Sequence, residues 1–300
     1  MNADHLDVLA PPELSTLDPL DRFPAGRERP AIPLVFDSPH SGWCMPRQKP
    51  AASTAVLATS CDAFVDELFG RAREVGAGLL AARFPRWLVD ANRARDDLDP
   101  SMIVGEPLHP LRPSAKSGHG MGVLRQLALP GIPVYAAPLA AADAEALLCA
   151  FWDPYHAALR SMLDDLHARH GAVWHINCHS MKSVGNEMND DLGAERPDFV
   201  ISDRRGKTSA PEFVEFVADA LREPGYAVQV NDPYVGAELI AAYSNPDAQR
   251  HSIQIEINRR LYMDEASLRK HEGFERLRRD LSTFVDRVAG YVRANAGLPG

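Results

Sequence analysis

The 300-residue sequence lacks several features that would assign a protein to a simple class. Its four cysteines form no CxxC pair, which predicts reduced thiols in a cytoplasmic protein. No apolar run approaches the roughly 20 residues that a membrane-spanning helix needs. The acidic, proline-rich N-terminus has neither the basic start nor the apolar core of a signal peptide. We therefore expect a cytoplasmic protein with no membrane partner.

Positive charge is also in short supply. Lysine and arginine number 32 against 41 acidic residues, which gives a net charge of −9. Nucleic-acid binding needs a basic face to neutralise phosphates, so a nucleic-acid partner is not expected. A small anionic substrate remains compatible, because such a ligand senses only the local charge. No pattern indicates an oligomeric state.

Common catalytic motifs are missing as well. The sequence contains neither HExxH nor GxSxG. The "GKT" at 206–208 is not part of a phosphate-binding loop, because Ile201 stands where that loop requires glycine. The "GHGMG" at 118–122 is not followed by a helical pattern of the dinucleotide-binding type, so we predict a flexible loop there. The function must be sought in individual residues.

Strand-like and helix-like patterns alternate along the chain. We predict strands over 32–37, 79–84, 87–91, 172–178, 198–202, 226–230 and 252–257, and helices over 60–75, 141–169, 210–222 and 277–292. This alternation predicts an α/β fold, with a single sheet covered by helices on both faces. Residues 1–30 are expected to form an extended lead-in to one domain over 31–300. The irregular, Pro- and Gly-rich segment 94–131 is typical of a functional loop.

Four predicted strands end in reactive side chains. His40 and His179 each follow an apolar run, Asn92 and Arg93 follow another, and Glu256 lies in the last. Sites in open α/β sheets gather at the carboxyl ends of strands. Neutral imidazole is the commonest protein ligand of zinc, so the two histidines indicate a metal site. A structural hydrogen-bonding role for each histidine is the alternative.

Glu256 lies in a strand whose opposite face is filled by isoleucines. A buried carboxylate costs free energy unless it is paired or functional. Burial would raise its pKa, as suits a general base that works near neutral pH. The alternative is a buried ion pair with Arg259 or Arg260.

The neighbours of Arg93 and His179 leave further alternatives open. The planar fork of Arg93 suits a carboxylate ligand, but an internal salt bridge to Asp90, Asp96 or Asp97 would explain it equally. Side chains alternate along a strand, so Cys178 should point away from His179 and pack as a small buried hydrophobe. His175 and Asn177 share the face of His179, and either could support its ring.

Taken together, these residues resemble the N-formylglutamate amidohydrolase family over about residues 32–290. The matching blocks are "SPHSG" at 38–42, "DAFVDELF" at 62–69, "RWLVDANR" at 86–93, "YHAAL" at 155–159, "INCHSM" at 176–181, "DFVISDRRG" at 198–206, "VQVNDPYVGAELIAAY" at 228–243 and "IQIEINRRLYMDE" at 253–265. The resemblance implies a zinc-carboxypeptidase-like (phosphorylase/hydrolase-like) mixed sheet, and a hydrolase with one zinc ion per chain that cleaves a C–N amide bond.

The resemblance also implies a ligand set for the metal. In carboxypeptidases two histidines and one carboxylate hold zinc, which points to His40 and His179 here. The carboxypeptidase HxxE pattern is not matched, because position 43 is Trp43. Asp62 is the expected carboxylate ligand, since a helix start lies near the strand ends. Asp66 is the alternative.

The same resemblance assigns the substrate-binding residues. Asn92 and Arg93 would hold the substrate α-carboxylate, and Glu256 would be the base. The implied reaction is hydrolysis of an N-acyl amino acid, most simply N-formyl-L-glutamate to formate and L-glutamate. A second carboxylate needs a second cation. Candidates for that cation are Arg259, Arg125 and Lys182. The alternatives are a carboxypeptidase- or aspartoacylase-like hydrolase with another substrate, or a non-catalytic metal-bearing binding protein.

Overall fold

The computed structural model describes residues 18–27, 29–45, 50–186 and 191–299. The strands, in chain order, are β1 (Leu20–Phe23), β2 (Leu34–Ser38), β3 (Gly78–Ala82), β4 (Ile103–Val104), β5 (Leu127–Leu129), β6 (Ile132–Pro133), β7 (Leu139–Ala140), β8 (Val173–Met181), β9 (Phe199–Ser202), β10 (Val228–Val230), β11 (Arg250–Asn258), β12 (Met263–Asp264) and β13 (Arg269–Lys270). The α-helices are α1 (Thr54–Ala58), α2 (Val65–Leu68), α3 (Ala115–Gly118), α4 (Ala141–Leu147), α5 (Asp153–His170), α6 (Pro211–Arg222), α7 (Glu238–Tyr243) and α8 (Gly273–Asn295). A π-helical turn, Leu148–Trp152, joins α4 to α5.

Seven strands form one mixed sheet in the order β1-β3-β2-β8-β11-β9-β10. The central strands β3, β2, β8 and β11 run parallel to one another, so their carboxyl ends meet at one edge. β9 runs antiparallel to β11, and β1 runs antiparallel to β3. The smaller strands pair in three two-stranded sheets. The predicted sheet is confirmed. The carboxyl ends of its parallel strands form the edge at which sites in open α/β sheets are expected.

Helices cover both faces of this sheet. Phe36 of β2 stacks on Phe69, just after α2, at 5.7 Å between ring centroids. The next residue, Asp37, faces the other way and accepts a hydrogen bond of 2.5 Å from the Tyr155 hydroxyl of α5. Consecutive strand residues point to opposite faces, so α2 and α5 lie on opposite sides. The prediction of a mixed sheet with helices on both faces is confirmed. The likeness to zinc carboxypeptidases stays a prediction.

Two predicted elements differ from the structure. Residues 87–91 are buried but form turns rather than a strand, with the backbone N–H of Arg93 donating to the Asp90 carbonyl at 3.2 Å. The prediction was wrong because an apolar run reports burial, not extended backbone. The predicted helix over 60–75 is interrupted, since Phe64 has a left-handed φ of 66° and α2 begins only at Val65. A 3₁₀ helix, Gly70–Val75, follows.

The predicted N-terminal lead-in is partly built into the sheet. β1 lies within residues 1–30 and pairs with β3 from Leu20↔Ala82 to Phe23↔Leu79. Residues 1–17 lie outside the described part of the chain, so the boundary at residue 30 stays a prediction. No helix among the described residues combines the length and apolarity that crossing a bilayer requires.

The turn after β2 depends on close backbone approach at Gly42. A Cβ added at Gly42 would lie 2.4 Å from the Arg83 carbonyl carbon and 2.5 Å from the Ala82 carbonyl oxygen. We expect Gly42→Ala to lower the free energy of unfolding by roughly 1–3 kcal/mol, because backbone must move to accept the methyl group. Chemical denaturation measures this change.

Gly290 provides the matched control. It lies on the exposed side of α8, and an added Cβ would meet nothing within 4 Å. Gly290→Ala should raise stability by up to about 1 kcal/mol, because alanine is the better helix former. A Gly42→Ala variant as stable as the Gly290→Ala variant would contradict the close-approach argument.

Candidate active site

Three buried side chains converge at the carboxyl edge of the parallel strands. His40 lies in the turn after β2, His179 near the end of β8, and Asp62 just before α2. His40 Nδ1 and His179 Nδ1 are 3.1 Å apart, and they lie 3.5 and 3.1 Å from Asp62 Oδ2. Ligands on a tetrahedral zinc ion with bonds of about 2.0–2.1 Å are separated by about 3.3–3.4 Å. The three atoms therefore fit one face of a tetrahedral zinc site.

Hydrogen bonds on the far side of His40 fix its ring. His40 Nε2 donates to Asp90 Oδ1 at 2.7 Å, and Arg86 Nε donates to Asp90 Oδ2 at 2.8 Å. Burial alone would raise the pKa of Asp90, but Arg86 and His40 hold that pKa well below its usual range. The ionised carboxylate keeps the proton on Nε2, so the lone pair of Nδ1 is free for a metal. Such carboxylate–histidine pairs are typical of metal sites.

His179 is held by an amide in the same manner. Its Nε2 donates to Asn177 Oδ1 at 2.6 Å, and Asn177 Nδ2 donates to Asp37 Oδ1 at 2.8 Å. Asn177 is therefore the supporting residue, whereas His175 bonds to Asp37 instead. Cys178 is buried on the opposite face, as predicted. The proton of the ring is thereby held on Nε2, and the lone pair of His179 Nδ1 faces Asp62.

Arg259 pairs with the carboxylate of Asp62, so the substrate contact expected for it stays a prediction. Its Nη2 donates to Asp62 Oδ1 at 2.9 Å, its Nε to Ser180 Oγ at 3.0 Å and its Nη1 to the Thr59 carbonyl at 2.9 Å. Its guanidinium is occupied by these three contacts, only 4% of Arg259 is exposed, and its contact with Asp62 fixes the orientation of that carboxylate. Burial opposes ionisation of Asp62, but the two imidazoles and Arg259 lower its pKa well below normal.

Asp66 does not join this cluster. It lies on α2, and burial together with the neighbouring Glu67 raises its pKa to about 6. The interruption at Phe64 turns Asp66 away from Asp62, so the two aspartates do not share a helical face. Asp62 alone of the two approaches the histidines.

Glu256 lies beside the cluster and forms no ion pair with the residues that the structure describes. It pairs in register with His179 on the adjacent parallel strand, so both side chains share one face. Its Oε1 accepts from Gln254 Nε2 at 2.9 Å. The ion pair considered as an alternative is not formed, because Arg259 and Arg260 both pair with other carboxylates. Burial raises the pKa of Glu256, which suits it to accept a proton near neutral pH.

Asn92 is used within the protein framework. Its Nδ2 donates to Asn177 Oδ1 and Gln254 Oε1, both at 3.3 Å, and its Oδ1 accepts from the Leu239 backbone at 2.9 Å. Both ends of the amide are engaged between β8, β11 and α7. These hydrogen bonds make Asn92 part of the framework, but it also lines the cleft beside the cluster, and the substrate contact expected from the sequence stays a prediction.

Arg93 forms no ion pair within the described parts of the chain. Its Nε is buried without a hydrogen-bond partner, and burial lowers its pKa. The salt bridge to Asp90, Asp96 or Asp97 that the sequence left open is not formed there. Arg93 instead lines the cleft beside the cluster.

This cleft has a volume of about 500 Å³ and is rich in cations. Arg86, Arg93 and Arg125 line it together with His179 and Glu256. Segment 94–131 supplies Arg125, so the predicted functional loop does border the site. The sequence interpretation missed the roles of Arg86 and Asp90. Their four-residue spacing inside the apolar run "RWLVD" was an available signal, because buried charges are seldom left unpaired.

The fold and the site together define an α/β protein with a buried, metal-competent centre that opens into an arginine-lined cleft. The N-formylglutamate amidohydrolase sequence profile matches residues 32–263, and the chain belongs to this family. It is accordingly a hydrolase of amide bonds, which sets aside the non-catalytic alternative.

Individual relatives agree with the profile. The chain is 27% identical over 257 residues to the N-formylglutamate deformylase of Pseudomonas aeruginosa, covering 83% of this chain and 87% of that protein. The deformylase of Pseudomonas putida is 26% identical with the same coverage. The crystal structure of N-formylglutamate amidohydrolase from Ralstonia eutropha JMP134 superposes with a TM-score of 0.89 at 39% identity, covering 93% of this chain and all of that one.

Metal binding by the cluster is directly testable. Zinc-loaded protein should contain one ion per chain, and His40→Ala, His179→Ala and Asp62→Ala should each lose most of it, because each removes one of three ligands. Asp66→Ala is the matched control and should retain the ion. Metal analysis after dialysis gives the stoichiometry. Full retention by both histidine variants, or loss only in Asp66→Ala, would contradict this site.

Proposed function

We propose that this protein hydrolyses N-formyl-L-glutamate to formate and L-glutamate, with one zinc ion per chain. The observation that carries the proposal is the triangle of His40, Asp62 and His179 next to Glu256. The names of the relatives support the substrate, and a cleft of about 500 Å³ is of ordinary size for a small-molecule site. Cytoplasmic location remains a prediction.

Each proposed ligand is oriented by a residue on its far side. His40, Asp62 and His179 would hold the ion, and Asp90, Arg259 and Asn177 respectively fix their orientation. When bound, zinc lowers the pKa of water towards about 7 and polarises a carbonyl group. Orientation of each ligand from its far side is what such a site requires, because a freely rotating ring would lose entropy on binding.

Glu256 is proposed to move the proton. It takes one proton from the attacking water as a C–O bond forms at the formyl carbon. It then gives that proton to the amine nitrogen as the C–N bond breaks, which releases formate and L-glutamate. The hydrogen bond from Gln254 Nε2 leaves one carboxylate oxygen of Glu256 for this exchange. Its burial-raised pKa suits both directions of transfer.

Arg93 is proposed to bind the α-carboxylate of the substrate. Its guanidinium lines the cleft and has no protein carboxylate paired with it within the described residues. A planar fork can hold a carboxylate with two parallel hydrogen bonds, which fixes the substrate as well as attracting it. Asn92 would act indirectly, through the framework that positions His179 and Gln254.

Zinc-loaded protein tested for amine release on a panel of N-acyl amino acids is the test of the substrate. We expect kcat/KM for N-formyl-L-glutamate to exceed that for N-formyl-L-leucine by roughly 10⁴-fold, because a site built for a polar group rejects analogues that lack it. N-acetyl-L-glutamate tests the size of the acyl pocket. A flat profile, or one that favours apolar side chains, would point to a carboxypeptidase- or aspartoacylase-like hydrolase with another substrate.

Glu256→Gln separates catalysis from metal binding. The amide keeps the shape of the side chain but cannot accept the proton, so kcat should fall by about 10²–10⁴-fold while the zinc content stays at one. Steady-state kinetics and metal analysis on the same preparation give both quantities. A variant with near-normal kcat would return Glu256 to a structural role.

A further inference from the structure

Arg125 is an arginine that the proposed chemistry does not use. It lies between α3 and β5, in a segment anchored beside the metal centre. The Asp90 backbone donates to the Val123 carbonyl, and the Val123 backbone donates to the Asp97 carbonyl, both at 2.8 Å. Only 7% of Arg125 is exposed, and its Nε has no hydrogen-bond partner in the described chain. Burial has therefore removed water from Arg125 Nε without supplying a partner from the described residues.

The charges around the cleft are unbalanced. Of the three arginines, only Arg86 has a carboxylate partner, Asp90, within the described residues. Burial lowers the pKa of Arg125 to about 9, and Arg86 and Arg93 add repulsion, yet the group stays charged at neutral pH. Two guanidinium groups, on Arg93 and Arg125, therefore face the cleft without a carboxylate partner among the residues that the structure describes. Uncompensated buried charge is costly, which favours a ligand that carries two negative groups.

Acidic side chains around the cleft do not remove this imbalance. Asp191 is engaged by Arg196 through two hydrogen bonds of 2.7 and 2.8 Å. Asp232 is exposed at the rim, and Glu256 accepts from Gln254 beside the metal centre. None of these carboxylates has a hydrogen bond or ion pair with Arg93 or Arg125.

The other cations proposed from the sequence are less suitable. Arg259 is occupied by Asp62, Ser180 and Thr59. Lys182 borders a neighbouring recess of about 110 Å³ rather than the main cleft. Arg125 borders both cavities and is the one of the three that is both in the cleft and unpaired among described residues.

Resting on the proposed function, we infer that Arg125 binds the side-chain carboxylate of the substrate while Arg93 binds the α-carboxylate. Two guanidinium groups that have no carboxylate partner in the described parts of the chain line one cleft, and they match the two carboxylates of an N-acyl acidic amino acid. Arg125 would then be the residue that selects glutamate over glutamine, because an uncharged amide leaves its buried charge uncompensated.

The test compares three substrates on zinc-loaded protein: N-formyl-L-glutamate, N-formyl-L-glutamine and the α-amide of N-formyl-L-glutamate. Arg125→Ala should lower kcat/KM for N-formyl-L-glutamate by roughly 10²–10³-fold, as truncation of a buried charge pair does. Its kcat/KM for N-formyl-L-glutamine should change little, so the preference for glutamate collapses. Arg93→Ala should instead abolish the preference for the free α-carboxylate.

Matched variants separate this role from a structural one. Arg125→Lys keeps the charge but loses the fork, and should keep part of the preference for glutamate. Lys182→Ala removes a nearby charge outside the cleft and should leave the preference intact. The inference is overturned if Arg125→Ala lowers both kcat/KM values equally, or if the preference collapses in Lys182→Ala instead.

A binding measurement keeps this inference distinct from the proposed reaction. Calorimetry on zinc-loaded protein should show L-glutamate binding more tightly than L-glutamine, and Arg125→Ala should remove that difference. If the wild type does not release formate from N-formyl-L-glutamate, the proposed reaction fails, and calorimetry still tests Arg125. If the wild type binds both amino acids equally, the assignment of Arg125 fails even when the reaction stands.

Discussion

The hydrogen bond from His40 Nε2 to Asp90 is the interaction on which the site depends. Asp90 orients the imidazole, and its second oxygen holds Arg86 at the wall of the cleft. Its backbone N–H binds the Val123 carbonyl and so anchors the segment that carries Arg125. Asp90 thus links the imidazole of His40 to Arg86 and to the segment of Arg125. The proposed metal site and the proposed substrate cleft therefore share one buried residue.

The polar network beneath the metal centre explains why the middle of the sheet is not uniformly apolar. Asp37 is fully buried, yet it accepts hydrogen bonds from Tyr155, His175 and Asn177. Burial alone would raise its pKa, but these partners lower it below normal, so the carboxylate stays charged. Asp37 holds the amide of Asn177, and Asn177 in turn holds the ring of His179, so the network fixes the orientation of His179. The opposite face of the same strands is packed with Ile253, Phe36 and similar side chains.

Local patterns were sufficient for much of the site. Apolar runs interrupted by histidine or glutamate identified His40, His179 and Glu256, because strand alternation and the parallel edge of an α/β sheet follow from short stretches of sequence. The order of the matching blocks was enough to indicate the family. The same reasoning failed at residues 87–91, where an apolar segment is buried as turns, since composition records burial rather than backbone conformation.

The sequence by itself determined the fold class and the family and singled out His40, His179 and Glu256, because each of these inferences rests on short stretches of sequence. Tertiary structure alone decided which carboxylate meets the histidines and which cleft arginines have no carboxylate partner within the described ranges. Arg259 and Asp62 are 197 residues apart, and their ion pair depends on how two distant segments pack. A left-handed turn at Phe64 separates Asp62 from Asp66. Which charged side chains form ion pairs depends on how distant segments pack, and a local sequence pattern carries no information about that packing.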